Sequence, residues 1–357
     1  MKNFKIKLES NLFIDFLIAI FLSHIYYQIT FIDTIEREFS LISQIKVNNV
    51  TSTSFFVESP TNTLVSLIFG INDIDMFKIV VYMITILSLI LIVLNIQFLE
   101  RYSTLFLFGG WLSTVSWFIG YVDAVSVLLI VLICKFTIQN ENNYYKLSLL
   151  FLALSINHNA IAFAIFLIIL FLTKDKNKYS IYSIIGLLIG NLIIRFYLNF
   201  IGFSGRGRLR FVFNENVLQD SINFLSENLL VVFWSGFLGV SVMFFWISNF
   251  IKWSEVKLIY ISLLICLFFT SLGLDTSRVF SILVVPVLIY LLNLINKEKL
   301  IDIKTNIAYS LSVLSHFLIG VFYVYGNVLR SSPMNNEETF YNFIARIVNS
   351  LMSNIWN

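Results

Sequence analysis

Several polar clusters interrupt a very apolar chain, and their residue types are those that move protons or hold phosphates. IDTIEREF carries Asp33, Glu36, Arg37 and Glu38. SGRGRLR sets Arg206, Arg208 and Arg210 at alternate positions beside two glycines. SINHNA places His158 between two asparagines, GYVDAVS carries Asp123, and LGLDTSRVF holds Asp275, Thr276, Ser277 and Arg278 in consecutive positions. A carboxylate or an imidazole can act as a general base on a hydroxyl. The planar guanidinium fork suits bidentate binding of phosphate, and glycine lets the backbone approach a ligand closely.

Each cluster also has a plain structural account. The apolar residues at 32, 35, 39, 42 and 45 have helical spacing, so Asp33 and Glu36 would lie on a solvated helix face. The 206–210 arginines would rest on lipid headgroups, and His158 would be a hydrogen-bonded turn residue. Asp123 and Asp275 would cap helices. Capping leaves Arg278 over, because a cation is disfavoured at the positive end of a helix dipole. An anion is therefore expected beside it, either Asp275 or a ligand phosphate. No cluster has metal-ligand spacing, so neither metal nor cofactor is expected. Cys134 and Cys266 sit in apolar runs and read as packing residues rather than a disulfide framework.

The elements that position these groups follow from composition. The chain has 357 residues, 58% hydrophobic, with a mean hydropathy of +0.85. Soluble domains do not have this composition, and long apolar runs recur along its whole length. The expected fold is an all-α polytopic membrane protein forming one integral domain, 1–357. About eleven spans are expected, at 11–30, 77–98, 103–119, 121–138, 146–157, 159–173, 180–202, 228–249, 256–273, 279–296 and 306–327. The first apolar run is long, contains Asp15 and reads as an uncleaved span.

Charge sets the sidedness. With the N-terminus inside, the inner loops receive 14 of the 24 basic residues, 13 of them Lys. This satisfies the positive-inside rule only if 146–173 is a hairpin. The outer face then holds two long segments, 31–76 and 203–227, and a tail, 328–357, with the pattern of an amphipathic helix. It also holds seven of the nine Arg and every cluster above. The net charge of +3 sits in short loops and points to no nucleic acid.

This layout resembles the GT-C class of integral-membrane glycosyltransferases. The shared features are a first span, a long outer loop with an acid near its start, short hairpins, and a second long outer loop after the seventh span. Size and the Ile/Phe/Asn/Lys-rich composition are similar to O-antigen and capsule polymerases of the Wzy type. The resemblance implies a base at Asp33 or Glu36, with His158 as a competing candidate. Arg206, Arg208, Arg210 and Arg278 would bind pyrophosphate, supported by Asp275 and Asp123. The implied substrate is a polyprenyl-linked oligosaccharide at the periplasmic face of a bacterial inner membrane, the partners being membrane lipid and a chain-length regulator. Transfer of a single sugar from a polyprenyl-phosphate donor, or flipping of a polysaccharide, are the alternative functions. A flippase should carry polar groups deep in several spans, and Arg195 is the main one found.

Overall fold

The computed structural model describes residues 10–356 apart from 33, 48–49, 51–56, 140, 142, 174–175, 204–216, 244–251, 274, 298–302, 326–327 and 331–337. Its helices are α1 (Ser10–Ile20, continued by a wider turn over Phe21–Tyr26), α2 (Ile35–Lys46), α3 (Thr61–Ile68), α4 (Ile74–Asn95), α5 (Ser103–Leu107), α6 (Gly110–Trp117), α7 (Asp123–Ile138) and α8 (Tyr144–Leu172). They continue with α9 (Lys176–Phe200), α10 (Val217–Glu227), α11 (Leu229–Phe237), α12 (Trp253–Thr270), α13 (Thr276–Leu283), α14 (Val285–Lys297), α15 (Ile303–Ile319) and α16 (Phe340–Trp356). A two-stranded ribbon, β1 (Tyr323–Tyr325) and β2 (Val328–Arg330), precedes α16.

The protein is thus a helical membrane protein. Among the described residues, five helical stretches are long and apolar enough to cross a bilayer: Ile74–Leu107, Tyr144–Leu172, Lys176–Phe200, Trp253–Thr270 and Thr276–Lys297. A sixth candidate is the pair Leu218–Glu227 and Leu229–Met243, bent by 82°. The remaining expected spans appear as shorter apolar helices, so length alone does not support eleven. Helices suit this solvent because they satisfy every backbone polar group internally.

Tyr144–Leu172 is not a straight rod. Its backbone leaves helical geometry at His158. The rings of Phe151 and Phe166 lie 6.3 Å apart, whereas fifteen residues of unbroken helix extend about 22 Å. The chain turns back on itself at His158, and both arms pack on α9. Ser148 donates to the carbonyl of Tyr182 at 2.8 Å, while Phe166 stacks on Tyr179. A Cβ on Gly186 would sit 2.2 Å from the Ser148 carbonyl oxygen, so glycine is what allows α9 to approach the first arm. Such small-residue contacts drive association where lipid removes the hydrophobic force between helices.

Contacts sort the molecule into two ends. At one end Lys135 donates to Asn95 at 3.0 Å, Tyr144 meets Phe136, and Thr137, Leu172, Thr173 and Lys297 surround one small cavity. Asp15 belongs here. Fully buried in α1, it accepts from Gln97 (3.0 Å), Ser103 (2.7 Å) and Thr104 (2.6 Å). Three donors account for an acid inside an apolar run, and they tie α1 to the turn between α4 and α5.

At the opposite end, residues 29–32 lie between two neighbours. Thr30 N–H donates to Ser116, Ile32 N–H to Ile119, and Phe31 N–H to Glu338. The tail helix α16 is fixed there by ion pairs: Lys78 to Glu338 at 2.5 Å, and Arg346 to Asp75 at 2.7 Å and to Glu338 at 3.1 Å.

Candidate functional site

The candidate groups that the structure describes gather at the second end. The turn 118–122 enters it with Gly120 at φ +126°, where a Cβ would fall 2.4 Å from Ile32 Cγ1. Only glycine fits both that backbone and that gap. The Gly120 carbonyl accepts from the Asn62 side chain at 2.9 Å. One residue earlier, Thr61 donates to Asn157 Oδ1 at 2.5 Å, and Asn157 in turn donates to the Val122 carbonyl (3.1 Å) and Ser126 Oγ (2.9 Å). The start of α3 therefore holds the 118–122 turn and the His158 bend together. Asn157 is buried, so its satisfied amide fixes the bend where a loop residue would not.

Arg278 is buried at 3% exposure and reaches Asp123, itself 1% exposed, at 3.0 Å. Asp275 lies at 3.5 Å, and the Tyr121 ring sits 3.8 Å from the guanidinium carbon. Two carboxylates, one of them the Asp275 expected beside it, and an aromatic face enclose Arg278. Asp275 makes no capping hydrogen bond to α13; its carboxylate faces Arg278, and Asp123 likewise serves as Arg278's partner.

Beside this clamp lies a cavity of about 820 Å³. One wall is a stripe of α9: Ile184, Leu187, Leu188, Asn191, Ile194, Arg195 and Leu198. The second arm of α8 supplies Ala160, Ile161, Phe163, Ala164 and Phe166, α12 and α13 supply Phe269, Val279 and Leu283, and the turn between them supplies Gly273. The stripe from 184 to 198 extends about 21 Å along the helix. Its far half is hydrocarbon. The polar lining residues Glu58, His158, Asn159, Asn191 and Arg195 gather toward the other half, the pattern of a site that orients an amphipathic ligand.

The sequence-derived candidates divide accordingly. His158 is buried and lines the cavity. Glu36 is exposed on α2 and does not line it, which removes the geometric ground for Glu36 as base. Asp33, Arg206, Arg208 and Arg210 lie outside the described residues. Two further cavity groups are Glu58, which carried no role in the sequence, and Arg195, read there only as a charge within a span. Glu58 lies in VESPTN next to Pro60, a turn signal that does not report what a side chain faces.

Glu38, two residues past Glu36, points inward and is fully buried. Burial pushes its carboxyl well above the ordinary range, with the Asn62 amide opposing the shift. No hydrogen bond of normal geometry reaches either of its oxygens, so its neutral form is the stable one. Among the described residues no group of three His, Cys, Asp or Glu side chains could hold a metal ion. Comparison with known proteins finds no matching family, no curated relative and no matching solved structure.

Proposed function

We propose that the protein is a glycosyltransferase that uses a polyprenyl-(pyro)phosphate-linked sugar, extending lipid-linked O-antigen or capsule repeat units at the periplasmic face of a bacterial inner membrane. The observation that carries this reading is the cavity: hydrocarbon in one half, with a histidine, a carboxylate and an arginine toward the other. In the proposed reaction a ring nitrogen of His158 removes the proton of an acceptor hydroxyl. The acceptor oxygen then bonds to the anomeric carbon of the donor sugar. The bond from that carbon to the phosphate oxygen breaks, and the polyprenyl phosphate leaves with the electron pair.

His158 replaces Glu36 as the base in this account, because of the described base candidates it is the one that faces the cavity; Asp33 stays the alternative base. Glu58 orients the imidazole or stabilises its protonated form. The Arg278–Asp123 clamp is a positioning device: it holds the 118–123 turn to which Asn157, the residue before His158, is bonded. Arg206, Arg208 and Arg210 remain proposed phosphate ligands. Lysines crowd the opposite end, which supports placing that end in the cytoplasm.

The test is chain extension by the purified protein on a synthetic polyprenyl-pyrophosphate oligosaccharide. The wild type should lengthen the glycan. His158→Ala should lower the rate at least a hundredfold, within the span that one acid–base group supplies, with an unchanged melting curve. A wild type that leaves every lipid-linked substrate intact, or a fully active His158→Ala, would sink the reading.

A further inference from the structure

Helix α3 is built inside out. Its buried positions are the polar residues Asn62, Thr63 and Ser66, while Ile68 and the following Phe69 stand 80% and 73% exposed. Their spacing puts the three buried side chains on one face of the helix. α3 packs on α2, and the Asn62 amide lies beside the fully buried Glu38 carboxyl of that helix.

Polar groups this deep are normally paired. Both Glu38 carboxyl oxygens, Thr63 Oγ1, Ser66 Oγ and Thr34 Oγ1 are buried with no hydrogen bond of normal geometry from any described residue. Thr34 stands one turn before Glu38, its carbonyl accepting the Glu38 N–H at 3.1 Å. The Asn62 amide is committed to the Gly120 carbonyl at 2.9 Å. Nor does any charged side chain of the neighbouring elements answer the carboxyl. α3 carries no charged residue. On α4, Lys78 pairs with Glu338, Asp75 pairs with Arg346, and the preceding Asp73 caps the helix. On α2 itself, Glu36 and Arg37 are exposed and Lys46 donates to Asn72 at 2.6 Å.

The donor set is that of a hard cation: oxygen only, from two elements, with one formal negative charge. A single carboxylate balances one positive charge and would leave a divalent ion half compensated in a buried place, which is costly. Neutral hydroxyls complete the shell. We infer that Thr34, Glu38, Thr63 and Ser66 form a binding site for a sodium ion between α2 and α3. Where sodium is withheld, Glu38 keeps its proton; as the ion enters, the carboxyl releases that proton to water and the charge balances. Glu36, Arg37, Ser40 and Ser43, on the other side of α2, are exposed, so one helix separates the site from solvent. The ion braces α2 against the helix whose first turn holds both the 118–122 turn and the His158 bend. The site does not depend on any transfer chemistry.

The experiment is binding of radioactive sodium by the purified full-length protein in detergent, with choline chloride holding the ionic strength constant, alongside melting curves in the same buffers. Stoichiometric binding is expected. The melting midpoint should climb with sodium, and past half-saturation each tenfold increase should add the same increment of stability. Glu38→Gln keeps the shape without the charge and should abolish both effects while still melting cooperatively. Thr63→Val and Ser66→Ala each remove one oxygen and should weaken sodium binding severalfold with the fold intact. Wild-type midpoints that are the same in sodium and in choline would overturn the inference and assign these oxygens to water. So would a sodium effect of equal size in Glu38→Gln, which would mark ions on the surface. A larger response to calcium at matched ionic strength would also overturn it, as the sign of a divalent site.

Discussion

Arg278 Nη1 and Asp123 Oδ2 lie 3.0 Å apart across 155 residues of sequence, both almost wholly buried. The pair joins the first turn of α13 to the first turn of α7. Asp123 is favoured there by the helix dipole, whereas Arg278 is opposed by its own. Two carboxylates and the Tyr121 ring offset that cost. Removing the arginine alone would strand a buried carboxylate. Arg278→Ala should therefore destabilise the protein by about 3–5 kcal/mol, read as a lowered midpoint in detergent unfolding. The double variant Arg278→Met with Asp123→Asn should recover much of that loss. Asp275→Ala should cost far less, since this partner is longer at 3.5 Å and partly exposed.

Asn157 joins three elements through one amide: Thr61 of α3, the Val122 carbonyl and Ser126 of α7. Asn157→Ala removes three hydrogen bonds, but the Val122 carbonyl keeps the Ser126 N–H at 3.0 Å and the Ser126 hydroxyl keeps the Val122 carbonyl at 3.2 Å, so the Thr61 hydroxyl alone loses its acceptor and the loss is about 1 kcal/mol. More tellingly, it frees the bend at His158. Transfer activity should fall by more than the fraction of protein unfolded at the assay temperature. Activity that simply tracks the folded fraction would deny Asn157 a positioning role.

The pattern of acids and cations legible in the sequence grouped them at one end of the molecule, where Asp123, Asp275 and Arg278 meet and His158 lines the cavity beside them. His158 was visible because a turn between two apolar arms must expose its polar residue at one face. The hairpin itself followed from lysine placement, and the chain does reverse at that residue. Arg278 was visible as an oddity, yet its partner Asp123 is 155 residues away and no local spacing could reveal it. Glu36 and Glu38 differ by two positions on one helix, about 200° of rotation. One faces out and the other inward, and only packing against α3 decides which. Arg195 stood out only as a charge in an apolar run, its groove being made by four helices that meet in space.

Glu38 should make stability fall as pH rises. Burial raises its folded pKa above the unfolded value, so the folded state holds a proton that the unfolded state releases. The contribution is full below the ordinary carboxyl pKa, near 4, and is lost progressively until the pH passes the raised folded value. Glu38→Gln keeps the shape and removes the titration. Melting temperatures measured from pH 4 upward should decline more steeply for the wild type than for the Gln variant. Parallel curves would show that Glu38 ionises normally.

The tail helix should respond to acid in the opposite sense. Burial alone would raise the carboxyl of Glu338, but hydrogen bonds from Lys78 and Arg346 prevail and hold it below the usual range. Docking of α16 is then fully supported above the ordinary carboxyl pKa and weakens as pH falls through the depressed value. Arg346 is about half exposed, so solvent screening limits its pairs with Asp75 and Glu338 to about 1 kcal/mol together. Arg346→Ala should leave the melting midpoint of the helical bundle nearly unchanged while speeding proteolysis within 340–356 severalfold. Because Lys78 still pairs with Glu338 in that variant, Lys78→Ala combined with Arg346→Ala should release the helix further. A double variant as protected as the wild type would mean that Phe343, packed on Phe31, holds the tail without the charges.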